Sequence, residues 1–161
     1  MSKVIVNVLF FICVLFLCSC SPKKGKTELK IQFPNQVWNR LEPVDTTFTV
    51  SNIEKAYDIT VALSVLNGFE LNYIPLEVVI TAPSGQKNII PNIGITLKDK
   101  ENNHIGTVYG DVWTVEQTVY SHKEFTEEGN YSIRIHNRTQ YYELFKVVSM
   151  SLIISPAETK K

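Results

Sequence analysis

Beyond residue 30 the apolar positions of this chain recur with period two rather than 3.6, which is the signature of strands with one buried and one wetter face. In the window 57–65 the odd positions are Tyr57, Ile59, Val61, Leu63 and Val65, and the even ones are Asp58, Thr60, Ala62 and Ser64. Leu76, Val78 and Ile80 alternate with Glu77 and Thr81, and Tyr131, Ile133 and Ile135 alternate with Ser132, Arg134 and His136. Near the C-terminus Val148, Met150, Leu152 and Ile154 share a face against Ser149, Ser151 and Ser155. Weaker alternation marks the windows 46–51, 93–98 and 113–120. Turn-forming clusters separate these windows, notably Pro83-Ser84-Gly85, residues 99–103 and Glu127-Glu128-Gly129-Asn130. Only residues 139–145 have the makings of a helical turn. The pattern predicts an all-β fold, a single antiparallel β-sandwich of seven or eight strands over residues 31–157, followed by a tail at 158–161. An Ig-like or a jelly-roll-like topology fits equally, because no Cys…Trp…Cys core is present to choose between them.

The first twenty residues break this pattern. Lys3 precedes an apolar run from Val4 to Leu17 interrupted only by Asn7. The run is shorter than the roughly 20 residues that span a bilayer, and with its basic flank it reads as the signal peptide of an exported protein, residues 1–19. Leu17-Cys18-Ser19-Cys20 has the form of a bacterial lipoprotein box, with Leu at −3, a small residue at −1 and a thiol nucleophile at +1. Cys20 is therefore the expected lipidation site, acylated by chains such as palmitate. Residues 20–30 follow as an acylated Cys and a flexible, basic linker containing Lys23, Lys24 and Lys26. No Asp follows Cys20, which under the enterobacterial sorting rule favours the outer membrane, with the domain facing the periplasm.

Composition then takes on a different meaning. Of 161 residues, 44% are apolar and 20% charged, and Lys+Arg and Asp+Glu are 16 each. Without the signal and the stretch 21–30, the remaining residues carry eleven basic and fifteen acidic side chains. A mildly acidic domain lacks the basic surface that nucleic-acid binding requires. Cys13 and Cys18 leave with the signal, so no disulfide, thiolate catalysis or Cys-zinc site is expected in the mature chain.

Candidate chemistry is sparse. Residues 99–104 loosely follow the alternating oxygen donors of a Ca²⁺ loop but lack its mid-loop Gly and distal Glu, so a polar hairpin turn is expected and no metal. His104, His122 and His136 lack the spacing of a zinc motif. Arg134, His136 and Arg138 form a row at steps of about 6.8 Å along one strand, suited to a carboxylate or to a partner's acidic edge, or else to cross-strand acids of its own sheet. Ser84 stands in a tight turn without a G-x-S-x-G context. There is no P-loop and no G-x-G-x-x-G, so neither an enzyme nor a cofactor is expected. Trp38 and Trp113 are expected to plug the core ends. The pair Tyr141-Tyr142 is the candidate contact for a protein partner or a glycan.

Several stretches, taken in order, give the chain a family resemblance. They are Val37-Trp38 with Asp45-Thr46-Thr47-Phe48, then Asn67–Pro75 leading into Leu76–Gly85, then Ile105–Gly110 with Asp111-Val112, then Phe125–Tyr131 before the Arg134–Arg138 strand. Together they resemble the gliding-motility lipoprotein family of the H type, found in Bacteroidota. The resemblance implies an acylated β-sandwich of the cell envelope, associated with gliding and its coupled secretion machinery, with other envelope proteins as partners and no catalytic residues. It departs from the family's pattern at Tyr73-Ile74-Pro75 and at 106–110. Asp45-Thr46-Thr47 also resembles the O-glycosylation acceptor of exported Bacteroidota proteins, with Thr46 as the modified residue. A carbohydrate-binding surface lipoprotein using exposed aromatics is the alternative function.

Overall fold

The computed structural model describes residues 26–157. The signal peptide, Cys20, the linker up to residue 25 and the tail 158–161 lie outside the described residues. Within them the chain runs β1 (Thr27–Gln32), a 3₁₀ turn (Pro34–Gln36), β2 (Val37–Asn39), β3 (Val44–Val50), β4 (Tyr57–Leu66), β5 (Tyr73–Thr81), β6 (Lys87–Thr96), β7 (Thr107–Tyr109), β8 (Val112–Lys123), β9 (Gly129–Asn137), β10 (Glu143–Phe145) and β11 (Val147–Pro156).

Two antiparallel sheets face each other. One has the order β1-β11-β4-β8-β7 and the other β3-β9-β5-β6, while β10 and β2 pair as a separate ribbon. The alternation read from sequence is the alternation of burial. Ile59, Val61, Leu63 and Val65 of β4 meet Leu76, Val78 and Ile80 of β5 and Ile133 and Ile135 of β9 in one core. The structure is thus an all-β sandwich, and its strands of six residues or more number eight. Two Trp side chains, Trp38 and Trp113, are each 1% exposed and belong to the core. Their indole N–H groups donate to the carbonyls of Glu42 and Ile105, satisfying the one polar atom that burial would otherwise orphan.

Three local expectations are corrected. Residues 139–145 form no helical turn; Glu143–Phe145 pair instead with Val37–Asn39 as strand. Strand β1 starts at Thr27, inside the stretch read as linker to residue 30, because Leu29 and Ile31 alternate with polar neighbours and pack against the core. On β11 the buried face takes Val147, Met150, Leu152 and Ile154, because the register shifts between Val147 and Ser149 and leaves Val148 half-buried. Ser149 and Ser151 are buried as well, being short side chains in register with the longer Gln32 and Lys30 of β1.

At one end of the sandwich Phe48, Tyr57, Phe125 and Tyr131 stack or meet edge to face at 4.7–5.8 Å between centroids. This end also holds the start of β1 and the end of β11, where the Ala157 N–H donates to the Ala56 carbonyl at 2.8 Å. The β2–β10 ribbon and the loops around residues 67–72 and 97–111 make up the opposite end.

Candidate functional site

The segment that follows β9 is built by short-range hydrogen bonds. Asn137, 1% exposed, accepts the Thr139 N–H on its Oδ1 at 2.9 Å, and the Thr139 hydroxyl donates to the Tyr141 carbonyl. Asn137 Nδ2 has no partner among the described residues. The Arg40 N–H donates to the Tyr142 carbonyl at 2.7 Å, which ties the segment to β2. At the far end of β10, Lys146 sits at φ 67°; its carbonyl accepts the Leu66 N–H and its ammonium donates to the Gly68 carbonyl at 2.9 Å. Gly68 has φ 77°, in the left-handed region that favours glycine.

Between this segment and the loop at residues 68–71 lies a cleft of about 230 Å³. Phe69, Leu71 and Leu144 contribute its apolar surface, Tyr141 and Phe145 stand beside it, and Glu70 and Glu143 lie at its rim. Tyr141 is 48% exposed and Phe145 62%. Sequence reading singled out Tyr141 and Tyr142 but not Phe69, Leu71 or Phe145. They come from segments seventy residues apart, and only the fold joins them.

The Arg134, His136 and Arg138 row does lie on the outer face of the smaller sheet, but it is answered from within that sheet. Arg134 holds Asp45 through two hydrogen bonds of 2.7 and 2.9 Å, and Arg138 donates to Glu77 at 2.6 Å. Glu77 also stands opposite His136 in register. The Asp45 carboxylate keeps the Arg134 guanidinium proton even more firmly than usual. Asp45, Thr46 and Thr47 share an open depression with Arg134. Within β3, Thr46 is half-buried on the same parity as Val44 and Phe48, whereas Thr47 is exposed.

The 99–104 segment closes on itself. Asp99 accepts the Glu101 and Asn103 N–H groups at 2.9 and 2.8 Å and the Asn103 amide at 3.1 Å. These bonds, the Asn103 N–H first, hold the Asp99 carboxyl below the usual range. The carboxylate is thereby spent on turn donors, and His104 stacks on Trp113 at 3.7 Å. Among the described residues no three His, Cys, Asp or Glu side chains converge on one point. Ser84 donates its hydroxyl to Glu127 at 2.5 Å and its N–H at 3.1 Å, fastening one loop to another.

The family described as GldH lipoprotein matches residues 27–152, from the first strand into the last. No curated protein matches the sequence. Among solved structures, Aeromonas hydrophila PliG, a periplasmic inhibitor of g-type lysozyme, is 15% identical with a TM-score of 0.33, covering 85% of this chain and 90% of that one. The VP2 subviral particle protein of infectious bursal disease virus is 10% identical with a TM-score of 0.38, over 86% of this chain and 34% of that one. The mitogen of Yersinia pseudotuberculosis is 8% identical with a TM-score of 0.30, over 85% and 90%. Likenesses this distant carry no argument about what the chain does.

Proposed function

The chain belongs to the GldH lipoprotein family, and from that membership we propose a non-enzymatic assembly component that holds another envelope protein in the gliding machinery and its coupled secretion apparatus. A lipoprotein of this family is a membrane-anchored protein of the cell envelope. In our reading the anchor is Cys20, the membrane is the outer one, and the sandwich faces the periplasm. The observation that carries the proposal is the extent of the family match, which takes in both sheets and the β2–β10 ribbon rather than one motif. Acylation at Cys20 provides attachment through buried CH₂ groups, each contributing about 0.8 kcal/mol, so the folded domain is free to serve a partner.

The anchor and the partner are tested separately. Cys20→Ala is expected to lose metabolic labelling by palmitate and to leave the membrane pellet; retention there without label would remove the assignment of Cys20. Chemical crosslinking in intact cells, followed by purification of the lipoprotein, is expected to recover a second envelope protein in constant ratio. Recovery of the lipoprotein alone would count against the assembly role.

A further inference from the structure

Large apolar side chains are distributed unevenly over this surface. Ten stand exposed among the described residues, and of these only Ile53 and Ile89 lie away from the end formed by the β2–β10 ribbon and its neighbouring loops. A concentration of this kind on an otherwise polar surface marks an interaction site. The chain enters the fold at the opposite end, where Lys26 precedes β1. Six residues, 21–26, separate Cys20 from β1 and reach at most about 20 Å when extended. The ten residues of β11 set the two ends roughly 30 Å apart. An anchor at Cys20 therefore keeps the entry end near the bilayer and turns the aromatic end away from it.

The cleft at that distal end has a definite chemistry. At about 230 Å³ it is smaller than a typical small-molecule pocket and of the size to admit one large side chain. Phe69, Leu71 and Leu144 make its floor apolar, suited to an aliphatic or aromatic side chain, and its polar side chains stand around that floor. The rim carries the Glu70 and Glu143 carboxylates, neither of which has an ion-pair partner among the described residues. Lys146, the cation of the cleft, has its ammonium on the Gly68 carbonyl.

We propose that this membrane-distal cleft docks an extended segment of a second envelope protein, whose apolar side chain enters beside Phe145 and whose adjacent Lys or Arg meets Glu70 and Glu143. The proposal rests on the assembly reading above and adds to it the surface used and the chemistry of the partner. An apolar anchor in a desolvated pocket supplies most of such an affinity, and the rim charges select register and speed encounter.

The test uses the full-length lipoprotein in the cells that make it, with the photoreactive residue p-benzoylphenylalanine at position 142, exposed between the lining residues Tyr141 and Glu143, or at position 53, on the entry end. The expected result is one protein adduct from position 142, whose crosslinked peptide carries an apolar residue next to Lys or Arg. Phe145→Ala, and separately Glu70→Lys with Glu143→Lys, are each expected to lower its yield about tenfold, the effect of some 1.4 kcal/mol. Both changes are on exposed side chains, and an unaltered melting curve of each purified variant establishes that the fold is kept. An adduct from position 53 alone would overturn the distal site while leaving the assembly reading standing. A glycan or lipid adduct at position 142, an acidic partner peptide, or indifference to the three substitutions would overturn the docking chemistry. Absence of any protein adduct from both positions would overturn the assembly reading as well.

Discussion

Arg134 illustrates what a residue's neighbours in sequence leave unsaid. Along β9 it reads as part of a cationic row, yet across the sheet Asp45 faces it in register and accepts two hydrogen bonds from one edge of its guanidinium, Nε and one Nη. Period two tells which face a side chain is on, whereas its cross-strand partner depends on which strands pair, and that information is spread over ninety residues. Tyr131 makes the same point inside the core. Its alternation with Ser132 foretold burial, but the hydrogen bond from its hydroxyl to the Glu127 carbonyl at 3.1 Å did not follow from any pattern. Burial first of all raises the Tyr131 phenol above its ordinary value of 10.0. A group whose folded pKa is raised adds stability below the unfolded value and loses it as pH climbs through the folded one. Tyr131→Phe should therefore cost about 1 kcal/mol at pH 7 through the lost hydrogen bond, and the gap to the unaltered protein should narrow above pH 10. Urea unfolding of both proteins at pH 7 and 10.5 measures this; a gap that widens in alkali would refute the assigned environment.

At the scale of elements, strands of seven or more residues were legible, β6 only in its second half, and those of three were not. Three residues are too few to show alternation, so β2, β7 and β10 left no trace, and the cleft that β10 helps to build was legible only as a pair of tyrosines. Strand β1 was obscured differently, because its Lys and Glu merge with the basic linker before it. Yet it covers one side of β11, whose other side is held by β4. Among the edges, β6 is interrupted by Pro91 and by Asn92 at φ 59°, and β7 is only three residues long, both of which discourage pairing with another chain. A chain beginning at Phe33 would lack β1, expose the long apolar β11 and uncover core beneath Leu29 and Ile31. Its expected cost is about 2–4 kcal/mol, from two half-buried side chains and one ladder of hydrogen bonds, together with concentration-dependent association. Urea midpoints and light scattering decide the matter, and a trimmed chain that stays monomeric with an unchanged midpoint would show β1 to be an accessory.

On the scale of the whole molecule, charge and geometry act in one direction. The residues beyond position 30 carry fifteen acidic against eleven basic side chains, while the stretch 21–30 carries four Lys and one Glu. Under the proposed anchoring at Cys20, an anionic headgroup layer would attract those lysines and repel the sandwich, which would hold the domain off the bilayer with its aromatic end outward. A short tether would then limit how far from the membrane the proposed docking cleft can reach. Twenty Gly and Ser residues inserted between Lys24 and Gly25 would behave as a random coil with an r.m.s. span of about 25 Å. That is comparable to the length of the sandwich, and it relaxes that limit without touching the fold or Cys20. Such a change lowers the effective concentration of the cleft at a partner held in the same envelope. Acylation and the melting curve are expected to be unaltered, and adduct formation from position 142 to fall several-fold. Equal adduct yield with the long tether would mean that the partner is met independently of the membrane, and that anchoring retains the protein without positioning it.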